Sequence, residues 1–185
     1  MRAGRGFREA VVSCLPMKKF LAVILVILAG LAIVGFILSS QYDVARAAVI
    51  SAKSSRIHEF VGDLKRWNEW TPWKDADPTM QIIFGSETKG VGASQSWTGK
   101  DGNGTLTITA ADEDKGVEFD LTFDGKPAKG AIRYERIGDA TKVTWSVKGE
   151  MDLPVLGGYL ALMMDRMIGP EFDKGLSRLK TQAEK

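Results

Sequence analysis

The stretch FLAVILVILAGLAIVGFIL, Phe20 to Leu38, runs 19 residues without a charge. As a helix rising 1.5 Å per residue it reaches roughly 28 Å, close to the hydrocarbon thickness of a bilayer. A core helix of a soluble protein keeps a polar side, and this stretch has none. It reads as an uncleaved membrane anchor, with a cleaved signal peptide as the competing assignment. The run exceeds the 7 to 15 residues of a usual signal core, and no small-x-small site follows it directly. Ala45-Arg46-Ala47 fits the A-x-A form, but it lies downstream, where alternation reads as the first strand of the following domain.

Flanking charge orients the helix. Arg2, Arg5, Arg8, Lys18 and Lys19 against Glu9 give residues 1–19 a net +4, whereas Ser39 to Ile50 carries only Asp43 and Arg46. The excess of positive charge before the helix places the N-terminus in the cytoplasm and the domain on the extracytoplasmic side of the cell's inner membrane. Met17-Lys18-Lys19-Phe20 also resembles a natural start of such an anchor, so residues 1–16 read either as an over-long start or as a short cytoplasmic tail. The whole chain has 25 Lys and Arg against 23 Asp and Glu. Removing the five basic residues and one acid of the flank leaves 20 against 22, so the domain is net −2 and carries no electrostatic footprint for nucleic acid. With one histidine, His58, and one cysteine, Cys14, the chain has too few ligands for a thiolate-rich or three-histidine zinc site or an iron–sulfur cluster, and no cofactor is expected.

From Tyr42 onward apolar residues alternate in seven short runs, as in antiparallel strands with one buried face. They are marked by Val44, Ala48 and Ile50; Met80, Ile82 and Phe84; Val91, Ala93 and Trp97; Leu106, Ile108 and Ala110; Val117, Phe119, Leu121 and Phe123; Ile132 and Tyr134; and Val143, Trp145 and Val147. Asp101-Gly102-Asn103-Gly104, Asp124-Gly125 and Gly138-Asp139 suit tight hairpin turns, so the strands are expected to meander. Ser54 or Ser55 can cap a helix in which Ile57, Phe60, Val61 and Leu64 share a face and which ends near Trp67. Leu160, Met164, Ile168, Phe172 and Leu176 repeat every four residues, with Met163, Met167 and Leu179 widening the stripe. The phase carries through Gly169-Pro170, which predicts one long helix kinked there. A stripe this broad needs a concave sheet to cover it, giving an α+β fold of a curved seven-stranded antiparallel sheet around a long C-terminal helix.

Specific strings sharpen this. Asp63-Leu64-Lys65-Arg66-Trp67-Asn68-Glu69-Trp70-Thr71-Pro72-Trp73, Gly90-Val91-Gly92-Ala93 before Trp97, Gly104 leading into Thr107-Ile108-Thr109, Thr141-Lys142-Val143-Thr144-Trp145, and Met167-Ile168-Gly169-Pro170 with Phe172, Gly175-Leu176 and Leu179-Lys180 stand in order along the chain. Together they resemble the START-like, helix-grip superfamily, in its polyketide cyclase/dehydrase and lipid-transport branch (SRPBCC). The resemblance covers Tyr42 to Lys180, within a domain spanning 42–185. It departs from the family at Ala52-Lys53-Ser54-Ser55, where a proline-rich opening to the first helix is common.

The resemblance implies a cavity between sheet and C-terminal helix. Met163, Met164 and Met167 are flexible and polarizable enough to line one, and Trp97, Phe119, Phe123 and Trp145 occupy inward positions of their strands. Each is equally explained as core. Trp67 and Trp70 read as structural, whereas Trp73, after Pro72, is placed to gate a cavity mouth. Candidates for chemistry are few. His58 reads as a solvated or capping residue. Asp165, among methionines, would have a raised pKa if it faced the cavity, although its position at the stripe's edge equally fits an exposed ion pair. Tyr134 is the other proton-transfer candidate, and Arg133 and Glu135 beside it look solvated. The expected role is a non-catalytic, membrane-anchored binding domain for a hydrophobic small molecule (a lipid, isoprenoid or polyketide-like compound), with the bilayer as partner through residues 20–38. The competing roles are a cyclase- or hydrolase-like enzyme using Asp165 or Tyr134, and an envelope protein-interaction module with a filled cavity.

Overall fold

Alternation at period two becomes seven strands in the computed structural model, which describes residues 17–185. Most of the basic flank before the helix, with Arg2, Arg5, Arg8 and Glu9, and also Cys14, lies outside the described residues. Helix α1 (Met17–Ile37) is followed by β1 (Gln41–Ile50), α2 (Ser54–Val61), a 3-10 turn (Leu64–Glu69), the single turn α3 (Trp73–Ala76), and β2 (Gln81–Phe84). Then come β3 (Ser94–Gly99), β4 (Gly102–Asp112), β5 (Gly116–Phe123), β6 (Lys126–Ile137), β7 (Ala140–Glu150) and α4 (Gly157–Ala183).

The sheet order is β1-β7-β6-β5-β4-β3-β2, antiparallel throughout. A nine-residue loop, 85–93, joins β2 to β3; β3 to β7 meander through tight turns, among them Asp124-Gly125, where both residues adopt positive φ, as a two-residue hairpin demands. β1 and β2 are the two edges, joined by α2, the 3-10 turn and α3. Helix α4 stays helical through Gly169-Pro170 and lies across the concave face, with Phe172, Leu176 and Leu179 buried beneath it.

Local chemistry departs from the expectations at several points. Neither serine caps α2: Lys53 holds the N-cap position without a side-chain bond, and Ser54 Oγ donates to Asp114 at 2.9 Å. The helix stops at Val61, not near Trp67. Asp63 turns extended and accepts a bond from Lys65 N at 3.0 Å, restarting the chain as the 3-10 turn that buries Leu64 and Trp67. Val91 is exposed in the Gly90–Gly92 turn ahead of β3. A register shift between Ile108 and Ala110 turns Ala110 outward and brings Ala111 in. In β1 the inward position between Val44 and Ala48 is held by Arg46, which reaches α4.

The two ends of the sheet differ. Ile50, Ile57, Phe60, Val61, Val143 and Leu179 pack fully at the end where β1 finishes, and Glu184 near the end of α4 accepts from Ser51 N at 2.6 Å there. At the opposite end, where β1 emerges from α1 and α4 begins, packing is incomplete.

Candidate ligand cavity

A cavity of about 230 Å³ lies between sheet and α4 at the α1 end. The sheet register explains its position. Tyr42, Gly149, Ala128, Leu121, Leu106 and Gln95 form one row across six strands, and Phe123, Gly104, Trp97 and Ile82 form the next row outward. Where Gly149 and Gly104 stand in these rows, an aromatic ring takes the space of a side chain: Tyr42 beside the first and Trp97 beside the second. Small residues thus hollow the concave face, and large ones wall it.

The floor is aromatic. Trp145 stacks on Phe172 with centroids 4.2 Å apart and planes 7° from parallel. Trp70 meets Trp145 edge-on at 5.1 Å, Trp73 meets it at 5.7 Å, and Trp67 meets Phe119 at 5.5 Å. Among the described residues the buried Trp145 indole N–H has no acceptor, a cost of about 1–3 kcal/mol. Three aromatic pairs at about 0.5–1.5 kcal/mol each offset it. Trp67 and Trp70 are anchored from behind, donating to Val61 O at 2.8 Å and Phe60 O at 3.3 Å. Both therefore tie the end of α2 to the turn that follows, as expected of structural residues, although Trp67 also reaches the cavity wall.

Of the residues anticipated for ligand contact, Trp73, Trp97, Phe119, Phe123, Trp145 and Met164 line the cavity. Met163 and Met167 do not: they are 52% and 59% exposed on the outer face of α4. One residue of helix is a turn of 100°, so the broad stripe divides into an inner row, Met164, Ile168 and Phe172, and an outer row, Met163 and Met167. Tyr42 and Gln95 were not singled out by sequence, although each lies two residues before an inward position, Val44 and Trp97, at the strand period. Gln95 is the one lining residue outside the apolar and aromatic classes.

The two proton-transfer candidates lie elsewhere. Asp165 is bound by Arg46, with Nη1 to Oδ1 at 2.7 Å and Nη2 to Oδ2 at 2.9 Å. Arg46 Nε also bonds Asp173 at 3.2 Å. The guanidinium crosses α4 at Gly169, where any β-carbon would collide with it. Its hydrogen bonds hold the Asp165 carboxyl below the usual range, the reverse of the raised value that a cavity would impose. Tyr134 is buried at the closed end, its hydroxyl 3.4 Å from His58 Nδ1. Burial pushes the Tyr134 hydroxyl far up and pulls half-buried His58 down, against the weaker pull of Glu113 and Asp112, so both are neutral at pH 7. Tyr134 borders a second, polar concavity of about 720 Å³ with Lys53, Arg136 and Asp139, remote from the aromatic floor. Arg133 and Glu135 pair with Glu118 and Lys142 on the outer sheet face, as solvated residues do.

Sequence comparison decides the family. Residues 41–184 match the family described as Polyketide cyclase / dehydrase and lipid transport. The chain belongs to that family. No curated protein matches it in sequence. Among solved structures, it is similar to protein CV1439 from Chromobacterium violaceum (TM-score 0.54, 13% identity, covering 78% of this chain and 99% of that one). It is also similar to the KanY protein (TM-score 0.59, 13% identity, 78% and 99%) and to DynU16 of the dynemicin biosynthetic locus (TM-score 0.53, 16% identity, 77% and 47%). At these identities the neighbours establish the helix-grip fold, and the chain spans about half the length of DynU16. The family's own description runs from cyclases to lipid transport, so the family alone does not name a ligand or a reaction.

Proposed function

We propose that this family member is a membrane-anchored, non-catalytic binding domain that holds one hydrophobic small molecule, or one apolar arm of a larger one, beside the bilayer. The observation that carries the reading is the wall: a cavity enclosed by aromatic and aliphatic side chains, with Gln95 as its single amide, favours an apolar occupant. About 230 Å³ sits just below the range of about 300–1,000 Å³ usual for ligand pockets, which favours a ring system or a short isoprenoid segment over a whole phospholipid. The cyclase- or hydrolase-like reading rested on Asp165 and Tyr134, and neither lines the cavity.

Anchoring is supported by α1, which contains a stretch, Lys19–Ile37, long and apolar enough to cross a membrane and almost wholly exposed. Cleavage after Ala47 would remove seven of the ten residues of β1, including Arg46 and its bonds to α4, which speaks against a signal peptide processed there. The positive flank then orients the domain to the extracytoplasmic side. Tethering raises the local concentration of the cavity towards membrane-dissolved molecules. Native mass spectrometry of the full chain, released from detergent after purification from membranes, tests the reading. A retained apolar molecule, lost on Ile168→Phe, is the expected result, and a chain that is uniformly empty overturns it.

A further inference from the structure

Met163 and Met167 in the outer row of α4 are left exposed by the described residues, and the position of the row says what covers them. Tyr159 opens this row, and its hydroxyl donates to Leu31 O of α1 at 2.8 Å. Leu31 stands seven residues before the end of the apolar run, about 10 Å inside it. Val155 and Tyr159 lie against Gly35, and Leu38 lies against Gly158, with no room for a side chain at either glycine. The first turn of α4 is therefore held alongside the last turns of α1. If α1 lies in lipid, so does this junction, and the Tyr159 hydroxyl, directed inward along α1, has its hydrogen bond met by the Leu31 carbonyl.

Beyond Tyr159, at steps of four, Met163 and Met167 continue the same face, and Leu162 beside them is 65% exposed. Leu153 and Leu156, in the approach to α4, are exposed too. Exposed apolar residues this close together mark a surface that is covered in use. Here the cover is continuous with a helix that is itself bare and apolar. The cavity opens at the same end: Phe119 and Trp145 at its floor are buried, whereas Phe123 in its outermost row is 45% exposed.

We infer that the apolar rim formed by Leu153, Leu156, Leu162, Met163 and Met167 is seated in the interfacial layer of the bilayer that α1 enters, so that the cavity mouth faces lipid. An apolar ligand then passes from membrane to cavity without crossing water. Met163 and Met167, which do not line the cavity, acquire a role as part of this seat, and Arg166 between them stands at the level of lipid phosphates.

The inference rests on α1 as a membrane span, and the experiment separates the two. The full chain carrying Cys14→Ser, with a single cysteine introduced by Met163→Cys, Met167→Cys or, at the closed end of the sheet, Lys115→Cys, is labelled with an environment-sensitive fluorophore. It is reconstituted in phosphatidylcholine–phosphatidylglycerol vesicles containing lipid with a nitroxide near the headgroup. Labels at 163 and 167 should be quenched by the nitroxide lipid at least twofold more than the label at 115, and should be shielded from aqueous iodide. Equal iodide quenching at all three positions, with the chain still held by the vesicles at alkaline pH, overturns the rim while leaving the anchor standing. Release of the chain at alkaline pH overturns both. Shielding at 163 and 167 without nitroxide quenching, together with crosslinking between two copies, assigns the face to self-association and likewise overturns the inference. A rim that behaves as expected on a chain that carries no apolar molecule preserves the membrane seat and removes the binding function.

Discussion

The two ends of one sheet have been built to opposite specifications. At the closed end, Ile50, Ile57, Val61, Val143 and Leu179 leave no room, and the chain adds polar fastenings from α4 to the end of β1: Ser51 to Glu184, and Lys180 to Val49 O at 2.9 Å. At the open end, glycines and half-exposed aromatic residues leave about 230 Å³ unfilled. A void costs stability because its lining lacks contact partners. Stability therefore resides at one end, which leaves the other free to remain hollow.

Substitutions at the two ends should therefore diverge. The largest effect is expected from Leu179→Ala at the closed end, about 2–5 kcal/mol lost in urea denaturation. A loss below 1 kcal/mol would show that the closed end is not the stabilising one. Enlarging side chains sharpens the contrast. Val143→Phe should cost about 1–3 kcal/mol by overpacking. Ile168→Phe, which has the cavity to grow into, should cost less than 1 kcal/mol while displacing any bound molecule. Equal losses from the two would mean that the cavity is not available space.

Smaller is the effect of pH through His58. Burial lowers its folded-state pKa, so below about 6.5 the unfolded chain takes up the proton more readily and stability falls with falling pH. Melting temperatures measured at pH 7.5 and pH 5.5 should differ more for the natural chain than for His58→Gln, and parallel curves would refute the assignment. Least of all is expected from Asp165→Asn. The exposed bonds to Arg46 should weaken with a slight drop in melting temperature and no loss of a retained ligand; ligand loss would return Asp165 to the cavity.

What the sequence revealed and what it hid follow from the range of the forces involved. Alternation such as Val117-Glu118-Phe119-Asp120-Leu121 is a local record of one wet and one dry face, so strands, hairpins and the gripping helix were legible. The shift at Ile108–Ala110 was not, because an extra residue in β4 shows only against its partner strand. Nor was Arg46: a charge at an inward position breaks the pattern unless Asp165 and Asp173, more than a hundred residues away, are known to meet it. Asp77 was overlooked for the same reason. Its buried carboxylate accepts from Thr79 N at 2.9 Å and from Lys100 N at 2.8 Å, which binds the turn before β2 to the β3–β4 hairpin. Met163 and Met167 misled, whereas Met164 did not, because an apolar stripe on a helix does not record which of its rows faces the interior.

Only Leu38, Ser39 and Ser40 separate α1 from β1. Fully extended, three residues span about 10 Å, and the bond from Met151 N to Ser40 O at 2.9 Å fastens even that stretch to the sheet. If α1 anchors the chain as proposed, a domain on so short a leash cannot ferry cargo across an aqueous compartment. Its traffic would then be lateral: whatever supplies or collects the proposed ligand would have to come to it within the plane of the membrane.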